Sequence, residues 1–161
     1  MTRTLSVMAT WDQFAEARPD LAEVGRRLLP PCGIAYLGTV RGDGGPRVHP
    51  VCPVFGGGRL FVGIGPTSPK QRDLCRDSRC VLHALPGADD AEFVIRARAV
   101  MITDHGDRRL FEAACREAGV NVEADGPAFE LLIDRVDTTV WENCGRPDTR
   151  PIRDRWTSAR S

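Results

Sequence analysis

The 161-residue chain is long enough for one domain with a hydrophobic core, and its 22 basic and 22 acidic side chains leave a formal net charge of +0. This balance argues against a nucleic-acid partner held by bulk charge. The chain shows no apolar run of the length that a signal peptide or a membrane span needs, so we expect a cytoplasmic protein, one domain over residues 1–161, that binds neither nucleic acid nor membrane.

Six cysteines are scattered along the whole chain without any Cys-x-x-Cys pair. With no export signal in the sequence, we interpret them as reduced and mostly buried small apolar side chains. A zinc site needs paired ligands at short spacing, and only Cys75 and Cys80 approach that pattern. The sequence therefore predicts no metal site.

The first predicted elements are two short helices within residues 10–29. Thr10 suits an N-cap, and the apolar residues after it are spaced for one helical face. Pro19 interrupts this pattern, which divides the segment in two, and the pair Pro30-Pro31 ends it.

Six strand-like runs follow between about residues 33 and 141. Short loops rich in glycine join the first three runs, which favours an antiparallel meander that closes into a small barrel. A helix is predicted over residues 104–118, and residues 142–161 form a polar, extended tail. The predicted strands are Gly33–Val40, Pro46–Val54, Arg59–Ile64, Arg79–Leu85, Glu92–Thr103 and Phe129–Trp141.

The second of these strands carries two prolines, Pro50 and Pro53, which cannot donate hydrogen bonds to a sheet ladder. We therefore expect one unpaired flank on this strand. Two interpretations remain open at this point: a flank that receives a flat polar heterocycle, or an ordinary edge that proline protects against aggregation. Alternation places Arg47, His49 and Val51 on one face, and Val48, Pro50, Cys52 and Val54 on the other.

The segment after the third strand is typical of a phosphate-binding turn. Ser68 suits an N-cap and Pro69 suits the first helical position, where no backbone donor is needed. Lys70 follows in the first turn, where a cation is unfavourable to the helix unless an anion binds there. Lys70 is also the only lysine in the chain. The alternative is a plain capped turn.

The order of the segments PRVHPV, GGRLFVGIG, TSPKQRDL and DSRCVLH resembles the pyridoxamine-5′-phosphate-oxidase-like split β-barrel superfamily. The likeness covers about Gly33 to Leu85. It implies a mostly β (α+β) fold, a six-stranded antiparallel split β-barrel with short flanking helices, and a homodimer with the cofactor at the interface. It also implies an oxidoreductase that uses FMN, or alternatively F420, on a small organic substrate.

Carried over by position, the resemblance implies a cofactor site. Arg47, Ser68 and Lys70 would bind the phosphate, with Thr67 beside them. The charges and the hydroxyl at a helix start suit that role. The ring would face the backbone of Val48, His49, Pro50, Val51, Gly63 and Ile64. The substrate-binding pattern of true pyridoxamine-phosphate oxidases is absent, so vitamin B6 oxidation is not expected.

F420 would need an additional basic groove for its acidic tail. The arginines available for one, which otherwise form a solvated surface, are Arg26, Arg27, Arg146, Arg150, Arg153 and Arg155.

No acid, base or nucleophile stands out as catalytic, which is compatible with chemistry that the cofactor supplies. His49 and His83 fall on adjacent or nearby strands where they could face each other, and they would be the haem-ligand candidates if the protein were instead a non-enzymatic flavin or haem carrier or sensor. Tyr36 is expected in the core or a pocket wall. Trp141 and Trp156 either stack on a ring across a dimer interface or pack within the chain.

Overall fold

An antiparallel sheet of eight strands frames the protein in the computed structural model, which describes residues 8–123 and 126–158. Its strand order is β2-β1-β5-β6-β7-β4-β3, and β8 pairs with β7. In chain order the elements are α1 (Trp11–Ala17), α2 (Pro19–Leu28), β1 (Ala35–Val40), β2 (Pro46–Val51), β3 (Pro53–Gly56), β4 (Arg59–Gly63), α3 (Pro69–Arg76), β5 (Arg79–Ala84), β6 (Glu92–Met101), α4 (His105–Ala118), β7 (Ala128–Glu142) and β8 (Arg150–Thr157).

The split in the barrel lies where β2 passes into β3. These two strands stand at opposite ends of the strand order, yet only Cys52 separates them in the chain. The sheet must therefore curl until its two ends meet at this residue. Pro50 and Pro53 flank Cys52 and lack the N–H groups that a closing ladder would use. The predicted fold class, a mostly β split barrel with an unpaired flank on β2, is confirmed.

The described residues form eight strands, rather than the predicted six. The predicted run Pro46–Val54 is divided into β2 and β3, because the chain crosses there from one sheet end to the other. The predicted tail contributes β8, whose residue Trp156 pairs with Val136 of β7. Most side chains of β8 are solvent-exposed, so the strand has no apolar pattern in the sequence by which it would be recognised.

Helices α1 and α2 pack against the barrel core, and α1 contributes the aromatic side chains of Trp11 and Phe14. The division of this segment at Pro19 confirms the predicted pair of helices, and Thr10 forms a capping box with Gln13. Phe14 is fully buried, with its ring centroid 5.2 Å from that of Trp156 and 6.3 Å from that of Phe93. Trp156 thus packs inside its own chain.

Helix α4 packs on the outside of the barrel against β3 and β4. Its residue Phe111 lies edge-on to Phe61, with 6.0 Å between ring centroids. Arg59 of β4 donates to Asp107 of α4 at 2.6 Å and also bonds Glu130 of β7. These contacts fix the helix and therefore the start of the loop that leads from it to β7.

The cysteines form no disulfides. The sequence predicted that most of them would be buried, and this prediction was wrong. Cys80 and Cys115 are buried, Cys52 is half-buried, and Cys32, Cys75 and Cys144 are exposed. Among the residues that the structure describes, no helix is long and apolar enough to cross a membrane.

Candidate functional site

The phosphate-binding turn predicted from the sequence forms the start of α3. Ser68 occupies the N-cap and Pro69 the first helical position, as predicted. The Ser68 side chain makes no capping hydrogen bond, so its hydroxyl is available to a bound group. The first turn of α3 contains no acidic residue. The positive end of this helix is therefore not compensated by its own side chains.

Lys70 adds a second positive charge at the same end of α3. Within residues 8–123 and 126–158, its ammonium has no hydrogen-bond or ion-pair partner. The side chain is half-buried, and this burial lowers the pKa of Lys70. A partly desolvated cation beside a helix N-terminus is electrostatically unfavourable, and a bound anion would remove that cost.

Arg47 of β2 is joined to the same helix through Asp73. Its Nε donates to Asp73 Oδ2 at 2.6 Å, and the Thr39 hydroxyl of β1 donates to the same oxygen at 2.9 Å. Asp73 is buried and follows Lys70 by three residues, which places the two on one face of α3. The bond from Nε leaves both terminal nitrogens of Arg47 uncommitted to Asp73. The carboxylate thus holds strands β1 and β2 and helix α3 together at the candidate site.

The pKa of Asp73 is lowered overall. Burial opposes its ionisation, but the hydrogen bonds from Arg47 and Thr39 and the charge of Arg47 favour the carboxylate more strongly. A carboxyl group whose folded-state pKa is lowered stabilises the fold above its unfolded value of about 3.9, and that stabilisation disappears as the pH falls through the folded pKa.

We therefore expect the Asp73→Asn variant to be less sensitive to acid than the wild type. The wild-type free energy of unfolding should fall as the pH is lowered from about 5, and the difference between the two proteins should shrink over this range. Urea unfolding at several pH values checks this, with Glu117→Gln on the exposed surface of α4 as the control. A difference that does not change with pH would contradict the assignment.

The residues predicted to face the cofactor ring are divided between two cavities, and some of them line neither. The first, which we call the corner pocket, has a volume of about 270 Å³ and is lined by residues that include Pro50, Val51, Gly63 and Ile64. The second, the outer trough, is about 1010 Å³ and includes Val48 together with Arg47. The remaining predicted residues, which line neither cavity, are His49, Thr67, Ser68 and Lys70.

The outer trough crosses the outer face of the sheet and combines an apolar floor with arginines. The register aligns Val48, Gly38 and Val81 across β2, β1 and β5. Arg79, Arg96 and Arg98 also line this trough.

The positive charge of the trough is only partly neutralised. Arg79 pairs with Asp77, whereas Arg96 lies 3.9 Å from Asp137 and Arg98 reaches the Ser78 hydroxyl at 3.4 Å. Sequence reasoning had not assigned these three arginines a role. The alternation of arginine and apolar residues along β6 was the available signal.

The arginines proposed from the sequence for a basic groove lie elsewhere. Arg27 pairs with Asp89, Arg150 with Glu142, and Arg155 with Asp137. None of the six lines either cavity. All six are solvent-exposed, which fits the alternative interpretation of a solvated surface.

Two further expectations are corrected by the register of β2, β1 and β5. His49 is level with Leu37 and Leu82, which face the buried interior, whereas His83 is level with Tyr36 and Pro50 on the outer face. The two histidines are thus on opposite faces of the sheet and do not face each other. Tyr36 is 47% exposed rather than part of the core.

Trp141 lies near the loop that precedes β6. Its indole nitrogen Nε1 donates to the backbone oxygen of Asp90 at 3.2 Å, so this side chain makes a contact within its own chain.

Solved structures with the same fold include three informative cases. A haem-binding protein from Mycobacterium smegmatis superposes with a TM-score of 0.66 at 20% identity, covering 87% of this chain and 59% of that protein. A Clostridium acetobutylicum protein of the pyridoxinephosphate oxidase family gives 0.56 at 10% identity, covering 88% and 94%. A protein described as an F420 reductase gives 0.56 at 15% identity, covering 69% and 94%.

These likenesses define the class of fold. The chain has the split β-barrel of pyridoxamine-5′-phosphate-oxidase-like proteins, as the sequence predicted. The chain spans about 59% of the length of the mycobacterial protein. No protein-family model and no curated relative matches the sequence.

Proposed function

We propose that the protein is an oxidoreductase that binds FMN through its phosphate and acts on a small organic substrate. The observation that carries this proposal is the half-buried Lys70, which has no partner among the described residues at the start of α3. Such a cation, next to a helix N-terminus and a hydroxyl without a capping bond, suits a phosphate. The described functions of two proteins with the same fold, an F420 reductase and an oxidase-family member, support the proposal.

Each residue of the proposed site has a binding or orienting role. Lys70 supplies a point charge, Ser68 a hydroxyl, and Arg47 the two terminal nitrogens that its bond to Asp73 leaves uncommitted. Thr67 stands beside them in the turn. The cofactor, when bound, supplies hydride transfer, so the protein needs no acid–base pair of its own.

We also propose that the protein acts as a homodimer, with the cofactor at the interface. The outer face of β1, β2 and β5 carries exposed apolar side chains, among them Tyr36, Val48 and Val81, and Val48 is 62% exposed. An apolar sheet face of this kind is typical of a protein–protein interface. The cytoplasmic location expected from the sequence remains a prediction.

F420 is the second candidate cofactor, and the outer trough is the observation that favours it. Arg79, Arg96 and Arg98 line the trough on the outer face of the sheet, and Arg47 borders it although its side chain bonds Asp73 on the other face. A group of arginines next to an apolar surface suits a cofactor with an acidic tail. A non-enzymatic haem carrier has weaker support here, because His49 and His83 do not converge.

The absorbance spectrum of the purified protein, followed by titration with FMN and with F420, tests the proposal. We expect a flavin spectrum or tight FMN binding. A preference for F420 would replace FMN with the second candidate. A haem spectrum, or binding of neither cofactor, would overturn the proposed function.

A further inference from the structure

The corner pocket is a concave site separate from the start of α3. It lies where β2 passes into β3, between the end of β4 and helix α4. Seven of its fourteen lining residues have apolar side chains of appreciable size. They are Pro50, Val51, Ile64, Phe111, Val120, Val122 and Pro127.

The glycine at position 63 leaves space in the pocket that a side chain would take. A Cβ at this position would come 3.1 Å from Cζ of Phe111 and 3.4 Å from Cγ1 of Val122. Phe111 is buried against Phe61, so its ring is a fixed wall that cannot move aside at low cost. The space next to Gly63 thus depends on two features: the missing side chain at this position and the packed ring of Phe111 beside it.

The chemistry of the lining disfavours an anionic occupant. Two thiols, Cys52 and Cys115, add soft, weakly polar surface to the apolar wall. Burial raises the pKa of Cys115, so this thiol stays neutral. Asn121 and Glu123 lie in the loop after α4, and both are exposed. The deeper part of the pocket therefore suits an uncharged apolar group, and Asn121 offers an amide for one hydrogen bond.

The size of the pocket limits its occupant further. A volume of about 270 Å³ corresponds to about nine water molecules at ~30 Å³ each, just below the usual range for ligand pockets. This is enough for one ring or two fused rings, and too little for a complete cofactor with its phosphate.

We infer that the corner pocket binds a small, uncharged ring compound. Its assignment as the substrate site rests on the proposed function. Pro50, Val51, Gly63 and Ile64, which are expected to face the cofactor ring, also line this pocket. A ring compound held in this pocket would therefore lie close to the cofactor ring. The substrate class is accordingly compact, aromatic or unsaturated, and without a phosphate or carboxylate group.

Indole serves as the probe for the pocket. Its binding is tested by the rate at which iodoacetamide alkylates Cys52, followed by mass spectrometry. Cys52 is half-buried and lines the pocket, whereas the exposed Cys75 on α3 lines neither cavity and provides an internal control. Indole at about ten times its dissociation constant should slow alkylation of Cys52 about tenfold, because only the unoccupied fraction reacts. Alkylation of Cys75 should not change.

A variant in which a larger side chain fills the pocket provides a second test. Val122 lines the pocket and is 36% exposed, so Val122→Trp should block the site and still fold. Val100→Trp, on an exposed valine of β6 that lines neither cavity, is the control. We expect indole to protect Cys52 in the wild type and in Val100→Trp, but not in Val122→Trp. No protection in the wild type, or equal protection in Val122→Trp, would overturn the inference.

The experiment is done without any cofactor, which separates the two proposals. Protection of Cys52 in a protein that binds neither FMN nor F420 would support the pocket and overturn the proposed function. Tight FMN binding without protection of Cys52 would overturn the pocket alone.

Discussion

Replacement of Lys70 by alanine is expected to weaken FMN binding at least tenfold, or about 1.4 kcal/mol. The ammonium is half-buried, has no partner among the described residues, and adds its charge to the positive end of α3. A charge-assisted contact with phosphate in such a place is stronger than one at an open surface. Fluorescence titration of FMN against the wild-type and variant proteins measures the effect.

The control for this prediction is Arg72→Ala on the same helix. Arg72 is exposed and is two residues from Lys70, so it lies on a different face of α3. Loss of either side chain changes the net charge equally. Equal weakening by both variants would show that only the overall charge matters, and unchanged affinity in Lys70→Ala would remove the phosphate-site assignment.

Replacement of Asp73 by alanine is expected to lower the free energy of unfolding by about 2 kcal/mol. Residue Thr39 is only 4% exposed, and its hydroxyl would be left without an acceptor. Arg47 would lose its ion pair. An unsatisfied buried polar group costs about 1–3 kcal/mol. For a chain of this length the melting temperature should fall by about 4–8 °C.

Asp73→Asn separates the two parts of this effect. The amide oxygen still accepts a hydrogen bond from Thr39, but it no longer carries the charge that pairs with Arg47. We expect its loss of stability at neutral pH to be smaller than that of Asp73→Ala. A melting temperature for Asp73→Ala within one or two degrees of the wild type would contradict the role of Asp73 in joining the two strands to α3.

Local signals in the sequence accounted for much of the fold. Pro19 divided the first two helices, and Ser68-Pro69 marked the start of α3, because both depend on backbone conformation near one residue. The alternation along β6, together with Pro50 and Pro53, indicated a sheet with an unpaired end. These features are decided by neighbours in the chain, so sequence patterns report them directly.

Features that depend on contacts between residues far apart in the chain could not be predicted from the sequence in the same way. The faces of His49 and His83 depend on the register of three strands, and a shift by one residue would reverse either side chain. β8 is mostly solvent-exposed, so it lacks the apolar period of a strand. Asp73 appeared as one more acid on a polar helix, because its partners Thr39 and Arg47 come from strands 26 or more residues away.

The junction at Cys52 gives the barrel a mechanically compliant line. Among the described strands, β2 and β3 are not paired with each other, so widening the barrel between them breaks no ladder hydrogen bonds. Resistance to such spreading comes from side-chain packing and from the single covalent link at Cys52. Elsewhere in the sheet, an equal displacement would have to rupture a row of backbone bonds. The barrel is therefore stiff around most of its circumference and yields first along one defined line.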